Sequence, residues 1–381
     1  MYIHVDIELA QSSKRPGNVC GDRVEVERTA AYATVLCCDG LGSGIKANIA
    51  ATLCASRLLE LQRRGYSLRE AFQALVQTMN GARGANLPYT AFALLQVLNN
   101  GQATVLTYEM PPPVVIYRRT AALLKQHITT IDRAIIGEAH CFIEPNEGIL
   151  LMSDGITQSG LGAGLPEGWG AEGVCDFVCS LLSDRTAAQR IPKLVHDQAR
   201  AYWKKLAGDD CTAALALCRQ GHVVNIFTGA PVARTLDASV TKRFLSMEGT
   251  KVVCGATTAM IVARFLGAKL QVAQDATSLI APPHYYLPGI DLVTEGAVTL
   301  NQVFNVFEED LAQSAEDSGV TRLCELLQKA DRINIIMGNA PNAAGNDISF
   351  RQQHVLPRAT IVGLLKGRLE AAEKLVVIEN V

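Results

Sequence analysis

Two stretches of the chain are near-continuous apolar runs, which is the pattern of strands buried on both faces of a sheet. They occupy residues 33–38 ("ATVLCC") and 149–152 ("ILLM"). Each run leads into an aspartate-glycine pair, at 39–40 and at 154–155. A carboxylate removed from water without a partner is costly. Two aspartates at the ends of buried strands therefore indicate a compensating partner between them.

The segment between these strands begins with helical periodicity. A helix is predicted over residues 45–61, and a second one opens with the capping box formed by Ser67 and Glu70. The first helix is expected to bury an apolar face made by Ile49, Leu53, Leu58 and Leu61.

The pattern becomes strand-like from residue 89 onward. Apolar runs at 90–99 and 102–109 flank Asn100-Gly101, which is a strong hairpin signal. Further strands are predicted at 148–153 and 211–218. Neighbouring antiparallel strands with helices outside them predict sheets that pack on each other under a cover of helices, an α+β fold.

At 381 residues the chain is long enough for two domains. The pattern of predicted helices and strands places the boundary between them near residue 220. We expect one domain over residues 1–220 and a smaller α/β domain over residues 221–381, where strand, glycine turn and helix follow one another at 251–267. The turn formed by Gly255, Thr257 and Thr258 can bind an anion, although packing at a tight turn is the favoured interpretation.

The amino-acid composition limits the classes of protein to which this chain can belong. A hydrophobic content of 49% with 19% charged residues describes a soluble globular protein, and a net charge of −2 gives no basic field for nucleic acid. The longest charge-free stretch, 84–108, is interrupted by turn residues, so no membrane segment is expected. Eleven cysteines without a C-x-x-C pair, and no signal-type N-terminus, favour free thiols in the cytoplasm.

Acidic turns occur at four places along the first 220 residues. Besides the two aspartate-glycine pairs, Asp22 follows Gly21 at a predicted strand edge, and Asp209-Asp210 precede a buried strand. Carboxylate oxygens are hard ligands that suit Mg²⁺ or Mn²⁺. A bound ion would offset the repulsion among gathered carboxylates. The four turns together predict a divalent metal site.

The order of these motifs resembles a known family. Gly21-Asp22, "DGLGSG" before a helix, "SDGI" after a strand and "DDCT" before the last strand are similar to the metal-dependent serine/threonine protein phosphatases of type 2C. The resemblance covers residues 1–220 and is greatest to the bacterial branch typified by stage II sporulation protein E. It implies a β-sandwich flanked by helices, with a two-metal centre of Mn²⁺ or Mg²⁺ at one end.

The resemblance also implies roles for individual residues. Asp39 would bridge both metal ions, and the carbonyl of Gly40 would hold one of them through water. Asp154 and Asp209 would bind the other ion. The two remaining metal-site candidates are Asp22, in a supporting role, and Asp210, the second aspartate of its pair. The activity implied is hydrolysis of phosphoserine or phosphothreonine on a partner protein in bacterial signalling, by a water that the two metal ions activate.

Two positions depart from the pattern of the eukaryotic relatives. Leu41 stands where those relatives often carry a histidine that protonates the leaving oxygen. Their phosphate-binding arginine has no clear counterpart, although Arg15 and Arg23 lie nearby in the sequence. Two alternatives therefore stay open, a weak or inactive phosphatase-fold binding module and a hydrolase of a small phosphorylated molecule. A homodimer is compatible with the sequence, and a regulatory or sensory role is expected for residues 221–381.

A second phosphatase chemistry is suggested by the C-x5-R spacing from Cys179 to Arg185. That chemistry needs a loop of backbone amides around the phosphate. The stretch contains no glycine, and its apolar residues have helical spacing. A core helix in which cysteine acts as a small hydrophobe is the favoured interpretation.

Overall fold

The structure is a computed structural model that describes residues 1–15, 17–85, 87–131, 134–203, 208–272, 285–308, 318–340 and 355–381. It contains two compact units. The N-terminal unit comprises Ile3–Gln220, and the C-terminal unit comprises Met1–Tyr2 together with Gly221–Val381. None of the helices within these ranges is long and apolar enough to cross a membrane.

Two antiparallel sheets form the N-terminal unit. Its strands are β1 (Ile3–Ser12), β2 (Asp22–Arg28), β3 (Tyr32–Gly40), β4 (Thr90–Leu98), β5 (Gln102–Tyr108), β6 (Val114–Tyr117), β7 (Thr120–Leu123), β8 (His127–Ile131), β9 (Ala134–Phe142), β10 (Gly148–Met152) and β11 (Cys211–Gln220). One sheet has the order β1-β11-β10-β6-β7, and the other has the order β2-β3-β4-β5-β9-β8. Side chains from both, among them Val5, Val35 and Ile149, share one buried core, so the sheets pack face to face.

Helices cover the outer faces of both sheets. They are α1 (Ile45–Arg63), α2 (Leu68–Gly84), α3 (Asp154–Thr157), α4 (Gly170–Ser183) and α5 (Ile191–Trp203). The first two pack on the six-stranded sheet, and α4 and α5 pack on the five-stranded sheet. The predicted α+β fold, a β-sandwich of antiparallel sheets flanked by helices, is confirmed.

Local signals in the sequence explain several of these elements. The hairpin is present, with Val97 opposite Ala103 across β4 and β5 and with Gly101 at a φ of 92°. The capping box is also present, because Ser67 and Glu70 exchange side chain to backbone hydrogen bonds at the start of α2. Both features are confirmed.

The predicted buried face of α1 is wrong in its first half. Ile49 and Leu53 are 52% and 65% exposed, whereas Leu58 and Leu61 are buried. The physical reason is close packing against β3. A Cβ atom on Gly40 would lie 2.1 Å from the carbonyl oxygen of Ala47. In this first half of α1 small residues therefore face the sheet, and Ile49 and Leu53 face outward. The buried small residues are Ala47, Ala51, Cys54 and Ala55.

The C-terminal unit is built around a mainly parallel sheet. Its strands are β12 (Val223–Thr228), β13 (Thr250–Cys254), β14 (Gln271–Val272), β15 (Tyr285–Tyr286), β16 (Leu292–Thr294), β17 (Arg332–Met337) and β18 (Leu375–Asn380). Its helices within the described ranges are α6 (Asp237–Ser246), α7 (Ala256–Leu266), α8 (Ala297–Val306), α9 (Gly319–Lys329) and α10 (Arg358–Ala371). The strand order is β14-β15-β16-β13-β12-β17-β18, and pairing is parallel from β16 to β18. The predicted α/β class is confirmed.

The packing of α1 predicts unequal effects for two leucines on the same helix. Leu58→Ala should lower the free energy of unfolding by about 2–5 kcal/mol because it leaves a cavity under α1. Leu53→Ala, at an exposed position, should change it by less than about 0.5 kcal/mol. Urea unfolding of both variants measures the difference. Equal losses would contradict the orientation of α1.

Candidate metal centre

The register of β2 and β3 brings two acidic residues together. Asp22 is the first residue of β2 and lies directly opposite Asp39, near the end of β3. The pairing is antiparallel, so both side chains lie at the same end of the sandwich. Asp22 is buried at 2% exposure, and Asp39 is half-buried.

Asp154 reaches the same place from the other sheet. It is the first residue of α3 and lies close enough to Asp39 for its charge to raise the pKa of that carboxyl. Two hydrogen bonds between Ser153 and Thr212 fix this end of β10 against β11: the Ser153 N–H donates to the Thr212 carbonyl at 3.0 Å, and the Thr212 N–H donates to Ser153 Oγ at 2.9 Å. The sheet ladder therefore sets the position of the third carboxylate.

Glycine after Asp154 is required by packing. A Cβ atom on Gly155 would lie 1.9 Å from the carbonyl oxygen of Asp210. No other residue allows the start of α3 to approach the turn before β11 so closely without a backbone shift. The Asp154-Gly155 pair therefore does more than form a turn, because its glycine allows close packing against the segment before β11.

The aspartates of the pair before β11 differ in their partners. Asp210 is buried, and its two carboxylate oxygens accept hydrogen bonds from the backbone N–H groups of Lys14 at 2.6 Å and Gly21 at 2.9 Å. Asp209 is half-buried, with Oδ1 2.9 Å from the N–H of Asp210 and 3.7 Å from Lys14 Nζ. Asp210 holds the loop that leads into β2, which leaves Asp209 as the more available ligand.

The pKa values of the clustered carboxyl groups are raised. Burial raises the pKa of Asp22 to about 7, with hydrogen bonds from Thr212 and Ser153 opposing the shift and the charges of Asp210 and Asp154 adding to it. Burial and the charges of Asp22 and Asp154 hold the pKa of Asp39 well above its usual range. Burial and Asp209 raise the pKa of Asp154. Without a cation, the cluster retains protons near neutral pH.

These residues fit a divalent metal ion. Asp22 Oδ2 accepts a hydrogen bond from Thr212 Oγ1 at 2.7 Å, but the buried Oδ1 has no partner among the described residues. The Cys20 thiol and the Asp22 and Asp210 carboxylates lie within 4.8 Å of one another. Burial raises the pKa of the Cys20 thiol to about 12, and both oxygens of Asp210 accept backbone hydrogen bonds, so Asp22 is the available donor of this group. The donors around Asp39 are carboxylates, and hard oxygen donors with few cationic neighbours suit Mg²⁺ or Mn²⁺.

The backbone around Gly40 is also close to this cluster. The Gly40 carbonyl oxygen lies 3.4 Å from the position that a Cβ atom on Gly21 would take. That same Cβ would lie 2.6 Å from Asp210 Oδ2. The two glycines therefore leave the space at the cluster free of side chains, and a carbonyl oxygen lies at its edge.

A cleft of about 510 Å³ opens beside the cluster. Asp39 and Asp154 lie in its wall, and Leu41 lines it at 51% exposure. The other residues of the wall are Tyr89, Ala91, Glu109, Met110, Pro111, Pro112, Ile135, Thr157, Gln158, Glu167, Gly170 and Ala171. A phosphate group entering this cleft would meet two of the acidic side chains.

The cations near the cluster differ from those expected. Arg15 is exposed, and Arg23 forms an ion pair with Glu25. Lys14, which the sequence gave no reason to select, makes the one cation contact to the cluster found within the described ranges, at Asp209. Its backbone also binds Asp210. No local motif marks Lys14; only the pairing of β1 with β11 brings it there.

The C-x5-R segment does not form a phosphate loop. Cys179 lies within α4, where its Sγ accepts a hydrogen bond from the N–H of Ala121 at 3.3 Å and donates one to the Ala121 carbonyl at 3.1 Å. Arg185 lies beyond the end of the helix. The interpretation as a core helix is confirmed by the structure.

An antiparallel β-sandwich with acidic side chains at one end defines the class of fold, and the sequence match defines the family. The sequence model of the stage II sporulation protein E (SpoIIE) family matches residues 29–219, which is half of the chain. The chain belongs to this family, so the resemblance noted in the sequence is confirmed. No curated protein matches the sequence of the chain.

Three bacterial proteins of known structure are similar to this chain. The RsbU and RsbW domains of a Mycobacterium tuberculosis protein are 15% identical, with a TM-score of 0.47 over 64% of this chain and 68% of that chain. The PP2C phosphatase domain of SpoIIE from Bacillus subtilis, with a fragment of its regulatory domain, is 15% identical, with a TM-score of 0.48 over 57% and 64%. The SiaA PP2C domain of Pseudomonas aeruginosa is 16% identical, with a TM-score of 0.43 over 55% and 85%.

The raised pKa of Asp22 predicts how the stability of the metal-free protein depends on pH. Folding raises this pKa from 3.8 to about 7, so the native state keeps a proton that the unfolded chain loses between these values. The stability of the metal-free protein should therefore fall as the pH rises from about 4 to about 7. Asp22→Asn should flatten this decline and raise the melting temperature at pH 7 by a few degrees, at about 2–4 °C per kcal/mol.

Thermal unfolding in EDTA across this pH range measures the effect. Asp176→Asn, on an exposed position of α4, serves as the matched control and should follow the wild-type profile. An Asp22→Asn protein that melts below the wild type at pH 7 would contradict the account of the cluster.

Proposed function

We propose that this protein is a metal-dependent phosphatase that hydrolyses phosphoserine or phosphothreonine on a partner protein. Membership of the SpoIIE family supports a protein phosphatase. The observation that carries the metal-dependent reaction is the meeting of Asp22, Asp39 and Asp154 beside an open cleft. The raised pKa values and the unpartnered oxygen of Asp22 show that gathering these carboxylates is unfavourable when no cation is bound.

The chain supplies the ligands in a fixed arrangement. Asp39, Asp154 and Asp209 are the proposed catalytic metal ligands, with Asp22 and the Gly40 carbonyl beside them, while Asp210 positions the loop before β2. Two Mn²⁺ or Mg²⁺ ions, when bound, supply an activated water and neutralise charge that develops on the phosphoryl oxygens. The strands and glycines hold the carboxylates in place before substrate arrives, so little reorganisation is needed during the reaction.

The cleft suggests how the substrate is held and how the leaving oxygen is protonated. Leu41 has no titratable group, so solvent water protonates the leaving serine or threonine oxygen in our proposal. Lys14 is the proposed phosphate-binding cation, since its ammonium group lies 3.7 Å from Asp209. The cleft wall, in which Pro111, Pro112 and several apolar side chains lie, suits a peptide segment better than a small sugar phosphate.

The division of labour along the chain is part of the proposal. Residues 1–220 would form the phosphatase domain, and residues 221–381 would have a regulatory or sensory role. The setting would be bacterial signalling in the cytoplasm, with a phosphorylated protein as partner. The structural separation of Ile3–Gln220 from the remaining residues supports this division.

Substitution of the ligands tests the proposed reaction. Asp39→Asn and Asp154→Asn should each lower Mn²⁺-dependent hydrolysis of p-nitrophenyl phosphate by about 100-fold or more, because the stabilisation of the transition state depends on the metal ligands. Asp176→Asn should retain wild-type rates. Circular dichroism checks that the variants are folded.

The same assay separates the alternatives. No Mn²⁺-dependent turnover by the wild type would support an inactive binding module, and near wild-type turnover by either ligand variant would contradict the metal assignment. A small phosphate ester hydrolysed far faster than a phosphoserine protein would favour a small-molecule substrate.

A further inference from the structure

In the sheet of the C-terminal unit, the connecting helices change from one face of the sheet to the other between the neighbouring strands β12 and β17. The helices after β12 and β13, which are α6 and α7, pack on one face with Phe227 and Val253. Helices α8, α9 and α10 pack on the opposite face with Ile226 and Ile335. β12 and β17 are parallel neighbours. In open α/β sheets, ligands bind in the crevice outside the carboxyl ends of the strands at such a reversal.

Glycines follow both strands at this point. Gly229 comes directly after β12 with a φ of 86°, and Gly338 comes directly after β17. A Cβ atom on Gly338 would lie 2.1 Å from the carbonyl oxygen of Ala230. The two loops are in backbone contact, so side chains are excluded from the base of the crevice and backbone groups are left near it.

Arg358 approaches the crevice from one side. It is the first residue of α10, and its Nη1 donates to the Gly338 carbonyl at 3.2 Å. A Cβ atom on Gly229 would lie 2.2 Å from the same nitrogen. Arg358 Nε is buried and has no hydrogen-bond partner within the described ranges. A buried guanidinium donor without an acceptor is costly, which points to a missing anion.

Thr228 gives an independent indication at the same place. It is the last residue of β12, it is fully buried, and its hydroxyl has no partner in the part of the chain that the structure describes. Strand alternation puts its side chain on the face of Val224 and Ile226, which α10 covers. The hydroxyl therefore points to the side from which Arg358 approaches.

The threonine two strands away in the same row, beyond Cys254 of β13, is satisfied. Thr294, at the end of β16, donates to Cys254 Sγ at 3.4 Å and contacts the Glu295 carbonyl at 3.1 Å. The unpartnered hydroxyl is thus a feature of the reversal point and not of every threonine along this edge.

Two helix N-termini lie along this edge of the sheet. Helix α7 begins after Gly255 and α8 after Gly296, and neither N-cap residue has a side-chain cap. A Cβ atom on Gly296 would lie 3.4 Å from Gly255 Cα, so the two starts are adjacent. Thr258 of α7 accepts a hydrogen bond from the N–H of Gly229 at 2.9 Å, which ties α7 to the loop after β12. Both helix dipoles favour an anion at this edge.

We propose that this crevice, defined by Thr228, Gly229, Gly338 and Arg358, binds the phosphate group of a small-molecule ligand. A guanidinium matches phosphate oxygens with fixed, charge-assisted hydrogen bonds. The Thr228 hydroxyl supplies a neutral donor, and the helix N-termini add favourable potential. The site lies wholly in the C-terminal unit and is independent of the proposed phosphatase reaction.

Calorimetric titration of the full chain tests the site. Inorganic phosphate, AMP and ATP are titrated in EDTA, so that the acidic cluster of the N-terminal unit repels anions. Thr228→Val and Arg358→Gln should each weaken binding by about tenfold or more. Thr241→Val is the matched control, since it removes another buried, unpartnered threonine hydroxyl of the same unit, on α6, and should bind as the wild type does.

The outcomes separate the sources of the phosphate group. Tighter binding of AMP or ATP than of inorganic phosphate supports a nucleotide, and equal affinity supports phosphate itself. Absence of binding heat for all three at millimolar concentration overturns the proposal. Wild-type affinity in folded Thr228→Val protein, whose shape is nearly unchanged, overturns it as well.

Discussion

The burial of several carboxylates at one end of a β-sandwich is the constraint on which the N-terminal unit depends. Like charges do not gather in a low-dielectric site without hydrogen bonds, protons or a cation. The register that sets Asp22 opposite Asp39 and the Ser153–Thr212 hydrogen bonds bring them together from both sheets. The strands hold the cluster in place, and the cluster in turn explains the glycines around it.

Those glycines show how closely the backbone segments around the cluster must approach one another. Side chains at Gly21, Gly40 or Gly155 would collide with atoms between 1.9 and 2.6 Å away. Alanine-rich packing of α1 against β3 follows from the same closeness. The geometry of the carboxylates, the small residues of α1 and the outward direction of Ile49 and Leu53 are therefore consequences of one arrangement.

Hydrogen bonding divides the acidic residues by role. Asp210 is saturated by two backbone N–H groups, so its charge stabilises a loop. Asp22 keeps an unpartnered oxygen and, with a pKa of about 7, holds a proton below neutral pH, while burial and the charges of Asp22 and Asp154 raise the pKa of Asp39. A divalent cation would replace that proton, which links metal binding to the protonation of the site.

Much of this could be predicted from the sequence, because buried strands that end in aspartate-glycine pairs are local patterns. The central position of Asp22 could not, since it depends on which residue lies opposite in the neighbouring strand. Strand β8 was missed because all five of its residues are exposed and carry no burial pattern. Lys14 and Arg358 were missed because only long-range packing brings each to its site.

The central claim is that the acidic cluster of the N-terminal unit holds divalent metal ions in exchange for protons. Calorimetric titration of EDTA-stripped, dialysed protein with Mn²⁺ at pH 6.5, in buffers of different ionisation enthalpy, measures stoichiometry and proton release together. The account predicts two ions per chain and a net release of protons, since the pKa of Asp22 is about 7. Absence of Mn²⁺ binding, or binding without proton release, would contradict it.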